Sequence, residues 1–170
     1  MLSTYLEAAA AKAGVSIPEQ TDRTPQPRVM HGLLLSWAGV RCAMDLSDGL
    51  SIDLVRLCAE NSIGAVIDPL AVPVDPAVAM IERARGGDPL PLALHGGEDY
   101  QLLMAVSPES IDAVRDMAFV WDLPITVIGQ FVVGAPVVSV QVGEWIEPLK
   151  AQGYDHFGYH EQARPAYSVS

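Results

Sequence analysis

The sequence predicts an α/β fold in which helices cover a mostly buried sheet. Short apolar segments rich in β-branched residues alternate with segments that repeat their apolar residues at helical spacing. Half of the residues are hydrophobic and only 18% are charged, which is typical of a globular domain and not of a disordered chain. A chain of 170 residues is long enough for one domain that buries roughly 70% of its unfolded surface.

The first part of the chain predicts two helices, a connector and a strand before the central helix. Residues 3–13 have apolar residues spaced for one helical face and are followed by Gly14, a natural helix stop. Residues 15–28 are polar, contain three prolines and should run extended across the surface. Residues 29–39 return to helical spacing and lead into a strand that ends at Asp45.

The middle of the chain continues the alternation of helices and strands. Residues 50–61 predict a helix and residues 65–68 a short buried strand. Residues 75–85 predict a second helix in this region, with Asp75 as its N-cap and proline at the first helical position. A short helical turn at 89–94 and a strand at 100–106 follow.

The last predicted elements are a helix and two strands. Residues 108–118 have helical spacing, whereas residues 126–133 and 137–142 are rich in β-formers. The turn residues 134–136, Gly-Ala-Pro, indicate that these two strands form a hairpin. Residues 158–170 lack apolar periodicity, so we expect a mobile tail.

The stretch of greatest chemical interest is residues 43–54, AMDLSDGLSIDL, at a strand-to-helix turn. Asp45 and Asp48 lie three apart across Ser47, and two facing carboxylates repel each other unless a cation lies between them. Hard divalent cations such as Mg²⁺ prefer carboxylate oxygens together with waters and phosphates, which favours metal-bridged phosphate binding. The alternative is that Ser47 or Asp48 only caps the helix by accepting a backbone N–H.

Two further stretches carry groups suited to ligand binding. In HGGEDY, residues 95–100, two glycines allow close backbone approach and present Glu98 or Asp99 at the start of a strand, although an ordinary turn explains the glycines equally well. In GYDHF, residues 153–157, Tyr154, His156 and Phe157 are able to form an aromatic wall for a flat heterocycle or to anchor the chain end to the core.

Charge and cysteine content limit the partners and the compartment. The net charge of -11 argues against nucleic acid and anionic membrane surfaces, since both reward lysine and arginine. The longest apolar run, near residues 32–40, is about half of the ~20 residues that a spanning helix needs. Cys42 and Cys58 are interpreted as reduced, structural thiols, which fits a cytoplasmic protein.

Taken together and in this order, the motifs resemble the C-terminal half of thiamine-monophosphate kinases. The resemblance covers most of residues 23–157 and rests mainly on SDGL at 47–50, GGEDY at 96–100 and GYDHF at 153–157. It implies membership of the PurM-like ATP-binding superfamily that includes aminoimidazole ribonucleotide synthetase. The implied fold is a three-layer α/β/α sandwich with a mixed sheet, which is compatible with the predicted elements.

The resemblance also implies an activity and its site residues. Enzymes of this family use ATP and Mg²⁺ to phosphorylate thiamine monophosphate to thiamine diphosphate. Matched position by position, Asp45 and Asp48 correspond to Mg²⁺ ligands, Ser47 to an ATP contact, Glu98 to a thiamine contact and Phe157 to a stacking residue.

The domain organisation implied by the resemblance is residues 1–22 as N-terminal helix and connector, 23–157 as the PurM-like C-terminal domain and 158–170 as the tail, with the family's N-terminal domain absent. We therefore expect the isolated chain to lack full activity. The alternatives are a half that works with a separately encoded N-terminal domain, a fragment of a longer enzyme, a non-catalytic binding or assembly module, or another superfamily member. Exposed apolar surface facing a missing domain predicts a homo-oligomer.

Overall fold

Helices and strands alternate along the chain, as the apolar pattern predicts. The computed structural model describes residues 10–12, 14 and 27–152, and residues 10–12 are helical. The further elements are α1 (Val29–Trp37), β1 (Cys42–Asp45), α2 (Leu50–Asn61), β2 (Gly64–Ile67), α3 (Pro76–Ala84), α4 (Leu90–His95), β3 (Leu102–Ala105), a 3₁₀ turn (Pro108–Ser110), α5 (Ile111–Val120), β4 (Gly129–Val132), β5 (Val138–Val142) and β6 (Trp145–Pro148).

The strands of the described residues form two sheets. Strands β1 and β3 make an antiparallel pair in which Asp45 lies opposite Leu102. The other sheet has the order β4-β2-β5-β6, in which β2 runs parallel to β5 and antiparallel to β4. The predicted α/β class with a mixed sheet is therefore confirmed.

The predicted hairpin between the strands at 126–133 and 137–142 is wrong. Strand β2 lies between β4 and β5, so that Ala65 has Phe131 on one side and Val138 on the other. The reason is that β2 is a buried strand, and a buried strand needs hydrogen-bonding partners on both edges. The hairpin in this region joins β5 to β6, a strand whose residues are all exposed and which therefore lacks a recognisable apolar pattern.

Helix α2 is packed into the main hydrophobic core. Its buried side chains include Leu50, Leu54 and Leu57, which confirms the predicted apolar face. They cluster with residues of β2 and β5 and with Leu103 of β3. Because residues of both sheets meet α2 in one core, the end of β1 and the start of α2 are held in a defined relation to β3.

Helices α3 and α1 differ in how closely they follow the predictions. In α3, Asp75 caps the helix as predicted, because Oδ1 accepts hydrogen bonds from the backbone N–H groups of Ala77 at 2.7 Å and Val78 at 3.2 Å. In α1, the buried residues are Leu34 and Leu35, whereas Trp37 remains 79% exposed. Helix α1 therefore presents an apolar outer surface, which also includes Val29, Met30 and Leu33.

The two cysteines are free thiols, as predicted. Burial raises the pKa of the Cys58 thiol, so this side chain is a neutral, apolar part of the core. Within the described ranges, every helix is too short or too polar to cross a lipid bilayer.

Candidate functional site

The SDGL turn at residues 47–50 and the HGGEDY stretch at residues 95–100 lie against each other. The antiparallel pairing of β1 and β3 continues past Asp45, since the Leu46 N–H donates to the Gln101 carbonyl oxygen at 2.9 Å. In return, the Tyr100 N–H donates to the Leu46 carbonyl oxygen, and the Glu98 N–H donates to the Ser47 carbonyl oxygen, both at 2.8 Å. This pairing brings to one edge four of the predicted site residues, namely Asp45, Ser47, Asp48 and Glu98.

Two glycines make this close approach possible. A Cβ atom on Gly97 would lie 2.7 Å from the Ser47 carbonyl oxygen, which is much closer than a Cβ contact allows. Gly49 has a φ of +119° and a virtual Cβ position 2.9 Å from the His95 carbonyl oxygen, so both its conformation and its surroundings require glycine. The glycines of SDG and HGGEDY are therefore needed for backbone packing at this site.

The turn after β1 is held by Asp53, a residue for which the sequence predicted no site role. Oδ2 of Asp53 accepts hydrogen bonds from the backbone N–H groups of Ser47, Asp48 and Gly49 at 3.0, 3.1 and 3.2 Å. The N-cap position of α2 is Gly49 and has no side-chain cap bond, so the alternative that Ser47 or Asp48 caps this helix is wrong. A buried acid in the first turn of α2, on its apolar face, was the available signal.

This use of the turn's amides has a chemical consequence. In a loop that cradles phosphate, backbone N–H groups at a helix start point at the anion. Here the N–H groups of residues 47–49 point at the Asp53 carboxylate instead. An anionic ligand at this edge therefore has to be recognised through other groups, such as side chains or a cation.

The two predicted metal ligands are in different environments. Asp45 is exposed at the end of β1, whereas Asp48 is buried and forms an ion pair with Arg56 of α2. The same guanidinium nitrogen, Nη1, lies 3.4 Å from Oδ1 of Asp53. Among the described residues, no three His, Cys, Asp or Glu side chains cluster closely enough to hold a metal ion by themselves.

The acidic residues of GGEDY are presented from a bent backbone. Glu98 is exposed and has a φ of +70°, and Tyr100 has a φ of +52°, conformations that non-glycine residues adopt rarely. Partial removal from water raises the pKa of the Asp99 carboxyl, and the negative charge of Asp75 raises this pKa further. The loop therefore presents the Glu98 side chain at the edge that already carries Asp45.

A buried hydroxyl joins α2, the end of α4 and the chain near residue 152. Ser51 is fully buried, and its Oγ donates to the Gln152 carbonyl oxygen at 2.6 Å. The Oγ atom also lies 2.8 Å from Nδ1 of His95. Because the hydroxyl has a single proton, we assign the proton of this second bond to Nδ1 of His95. His95 directly precedes Gly96 and Gly97, so Ser51 helps to position the Glu98 loop.

Burial at this junction gives a testable pH dependence. Desolvation lowers the pKa of His95 below its ordinary value of 6.5, while a backbone hydrogen bond with Gln152 opposes the shift. A lowered folded-state pKa means that the unfolded chain binds the proton first as the pH falls. His95 therefore contributes fully to stability above pH 6.5, and this contribution decreases as the pH falls from 6.5 towards the folded-state pKa.

Urea unfolding between pH 8 and pH 5 would measure this effect. His95→Asn keeps a donor near the Nδ1 position but removes the titration, so its stability is expected to fall less steeply below pH 6.5. His95→Gln, whose amide reaches the Nε2 position instead, should lose the bond to Ser51 at every pH. Parallel pH profiles for the wild type and His95→Asn would contradict the assignment of this pH dependence to His95.

One predicted site residue cannot be placed. Phe157, with the rest of GYDHF, lies outside the described residues. Its predicted stacking role stays a prediction.

Relatives of this chain are found among enzymes that are about twice its length. The thiamine-monophosphate kinase of Rhodopirellula baltica is 33% identical over 133 residues, which are 78% of this chain and 42% of that protein. The crystal structure of thiamine-monophosphate kinase from Stenotrophomonas maltophilia matches with a TM-score of 0.63 and 29% identity, over 79% of this chain and 46% of that one. The structure of AaThiL complexed with AMPPCP and TMP matches with a TM-score of 0.57 and 29% identity, over 69% of this chain and 34% of that one.

The chain thus spans less than half of the length of these relatives. The family model described as AIR synthase related protein, C-terminal domain, matches residues 4–142, which are most of the chain. The chain therefore belongs to the family of AIR synthase related proteins and has the PurM-like C-terminal fold that its motifs implied.

Proposed function

We propose that this chain is the C-terminal half of an ATP- and Mg²⁺-dependent kinase that phosphorylates thiamine monophosphate to thiamine diphosphate. The observation that carries the proposal is the backbone pairing of the 46–49 turn with residues 98–101, which gathers Asp45, Ser47, Asp48 and Glu98 at one edge. The thiamine-monophosphate kinases among its relatives support the same activity, and one related structure holds AMPPCP and TMP.

The residues at this edge fit Mg²⁺ bound together with phosphates. Mg²⁺ usually takes one or two carboxylates, keeps several waters and completes its shell with phosphate oxygens. Asp45 and Asp48 would hold it here, and an all-protein cage is not expected because the described residues contain no cluster of three ligands. When bound, Mg²⁺ would neutralise negative charge on the phosphates that react.

The remaining residues have positioning roles in this proposal. The attacking group is a phosphate that is already ionised near neutral pH, so no strong general base is needed. The hydroxyl of Ser47 would donate to ATP, and its backbone is fixed by Asp53 and Glu98. The carboxylate of Glu98 would accept from the aminopyrimidine or attract the cationic thiazolium of thiamine. Phe157 is proposed to stack on the thiamine.

We further propose that these 170 residues alone have little or no kinase activity, since their matched part spans 42% of the Rhodopirellula relative and the described residues contain no cluster of three metal-ligating side chains. A complementary N-terminal domain would be the partner that completes the site. The exposed apolar surface of α1, including Trp37, supports a homo-oligomer or an interdomain contact. The reduced cysteines fit a cytoplasmic location.

Calorimetry and turnover would test the proposal together. The chain alone is expected to bind AMPPCP only with Mg²⁺, and to form thiamine diphosphate from ATP and thiamine monophosphate only after a relative's N-terminal domain is added. Asp45→Asn should weaken Mg²⁺-dependent AMPPCP binding by roughly tenfold or more, because a direct metal contact is lost. Asp116→Asn, an equal change of charge at an exposed position on α5, should not.

Four outcomes would revise the proposal. Robust turnover by the chain alone would refute the need for a second domain. Binding of thiamine monophosphate without any turnover in the reconstituted mixture would favour a non-catalytic binding module, and phosphorylation of a different acceptor would favour another superfamily activity. A clean monomer in sedimentation velocity at high concentration would contradict the homo-oligomer.

A further inference from the structure

Arg56 places a positive charge directly on one of the proposed metal ligands. It lies three residues after Asp53 on α2, and helical side chains point towards the helix N-terminus, so its guanidinium group reaches back to the turn. There Nη1 bonds to Oδ2 of Asp48 and lies 3.4 Å from Oδ1 of Asp53. The side chains of Asp48 and Asp53 are 10% and 2% exposed, and that of Arg56 is 48% exposed.

The two carboxylates depend on Arg56 to different degrees. Oδ2 of Asp53 accepts three backbone N–H bonds, which stabilise its charge whether or not Arg56 is present. The charge of Asp48, which is almost equally buried, is offset by the ion pair with Arg56. A buried carboxylate without a nearby positive charge is unfavourable, so the ion pair with Arg56 stabilises the buried Asp48 side chain in the metal-free chain.

We propose that Arg56 is the resident counter-charge of Asp48 and that it limits the affinity of this edge for divalent cations. This inference rests on the proposed function, because it takes Asp45 and Asp48 as the metal ligands. A cation that binds Oδ2 of Asp48 has to replace the guanidinium group. A cation that binds Oδ1 instead lies a few ångströms from the same positive charge, so Arg56 opposes binding in both cases.

The proposal gives the site a preference for metal that arrives with a nucleotide. A bare divalent cation has to overcome the Asp48–Arg56 pair with only two carboxylates as compensation. A cation that carries phosphates also brings negative charge, which reduces the repulsion from Arg56. Oδ1 of Asp53, 3.4 Å from Nη1, offers the guanidinium group a second carboxylate oxygen if Asp48 is taken by a cation.

Binding of Mn²⁺ to the full chain without nucleotide tests the proposal. The electron paramagnetic resonance signal of free Mn²⁺ measures how much of the ion remains unbound. Arg56→Gln removes the charge and is expected to bind Mn²⁺ roughly tenfold more tightly than the wild type, because the positive charge that repels the cation is lost. Arg56→Lys keeps the charge and should bind Mn²⁺ like the wild type. The matched control is Arg115→Gln, which removes an equal charge from a surface pair with Asp112 at 3.8 Å.

A second measurement does not depend on the folding of Arg56→Gln. In the wild-type chain, titration with Mg²⁺ should shift the guanidinium nuclear magnetic resonance signal of Arg56, identified by its loss in Arg56→Lys, and should leave that of Arg115 unchanged.

Hydrogen exchange checks that Arg56→Gln keeps the fold of the turn. Exchange of the amides of residues 47–49 should remain slow in this variant, because Asp53 holds them without Arg56.

The outcomes separate this inference from the proposed function. If Arg56→Gln binds Mn²⁺ no more tightly than Arg115→Gln, the metal site stands and the role of Arg56 is refuted. If the wild type binds Mn²⁺ and Mg²⁺ does not move the Arg56 signal, the role is refuted as well. If no variant binds Mn²⁺ at any concentration tested, the assignment of Asp45 and Asp48 as ligands fails, and this inference fails with it.

Discussion

Asp53→Ala is expected to lower the free energy of unfolding by about 3–5 kcal/mol, the usual cost of removing one partner from a buried charged network. The substitution leaves the N–H groups of Ser47, Asp48 and Gly49 without their acceptor. Each buried donor without an acceptor costs roughly 1–3 kcal/mol, and Arg56 also loses its contact with the Asp53 carboxylate. Urea unfolding monitored by circular dichroism would measure the change.

The matched control for Asp53→Ala is Asp112→Ala. Asp112 is also an acid in the first turn of its helix, but it is exposed and lies 3.8 Å from Arg115. Removal of such a surface pair changes stability by about 0.5 kcal/mol or less. Asp53→Asn, which keeps one acceptor oxygen and loses the charge, should fall between the two. If Asp53→Ala unfolds like Asp112→Ala, the turn is not held by this carboxylate.

Gly97→Ala is expected to separate the two halves of the site and to destabilise the fold by about 1–3 kcal/mol, as overpacking does. The new methyl group would lie 2.7 Å from the Ser47 carbonyl oxygen and 3.2 Å from the Asp48 carbonyl carbon. Both atoms belong to a backbone that Asp53 fixes, so they cannot move away at low cost. The bond from the Glu98 N–H to the Ser47 carbonyl oxygen should therefore break.

Hydrogen exchange of the Glu98 amide in the ligand-free chain would report this separation directly, and unfolding in urea would give the stability. Gly32→Ala is the control, because Gly32 lies inside α1 and, apart from its chain neighbours and its own helix backbone, no atom of the described residues lies within 4 Å of its virtual Cβ position. That substitution should stabilise the chain by about 0.5–1 kcal/mol through helix propensity alone. Unchanged protection of the Glu98 amide in Gly97→Ala would show that the close approach is not required.

Local patterns in the sequence correctly predicted those features of the helices that depend on residues close in sequence. The apolar face of α2 and the Asp75 cap of α3 were both predicted correctly, because spacing along a helix and side-chain capping are short-range effects. The motifs SDGL and GGEDY indicated a family and a fold that the structure and the relatives confirm. Their juxtaposition through the Ser47 to Glu98 backbone pairing was not derivable from spacing alone.

Strand pairing was the part of the fold that local patterns predicted incorrectly. The turn at 134–136 suggested a hairpin, yet β2 lies between β4 and β5. Strand β6 was missed because all four of its residues are exposed and show no alternation. Pairing partners are chosen by burial and by the need to satisfy both edges of a buried strand, and those conditions are non-local.

By itself, the sequence determined the α/β class and the family, because residue type, helical spacing and motif order are local properties of the chain; its site residues stay predictions. Only the tertiary structure decided what those residues do to one another. Asp53 accepts hydrogen bonds from the amides of the turn, and Arg56 forms an ion pair with Asp48. The physical reason is that burial and hydrogen-bond partners set the state of a carboxylate, and both depend on groups that folding brings close in space.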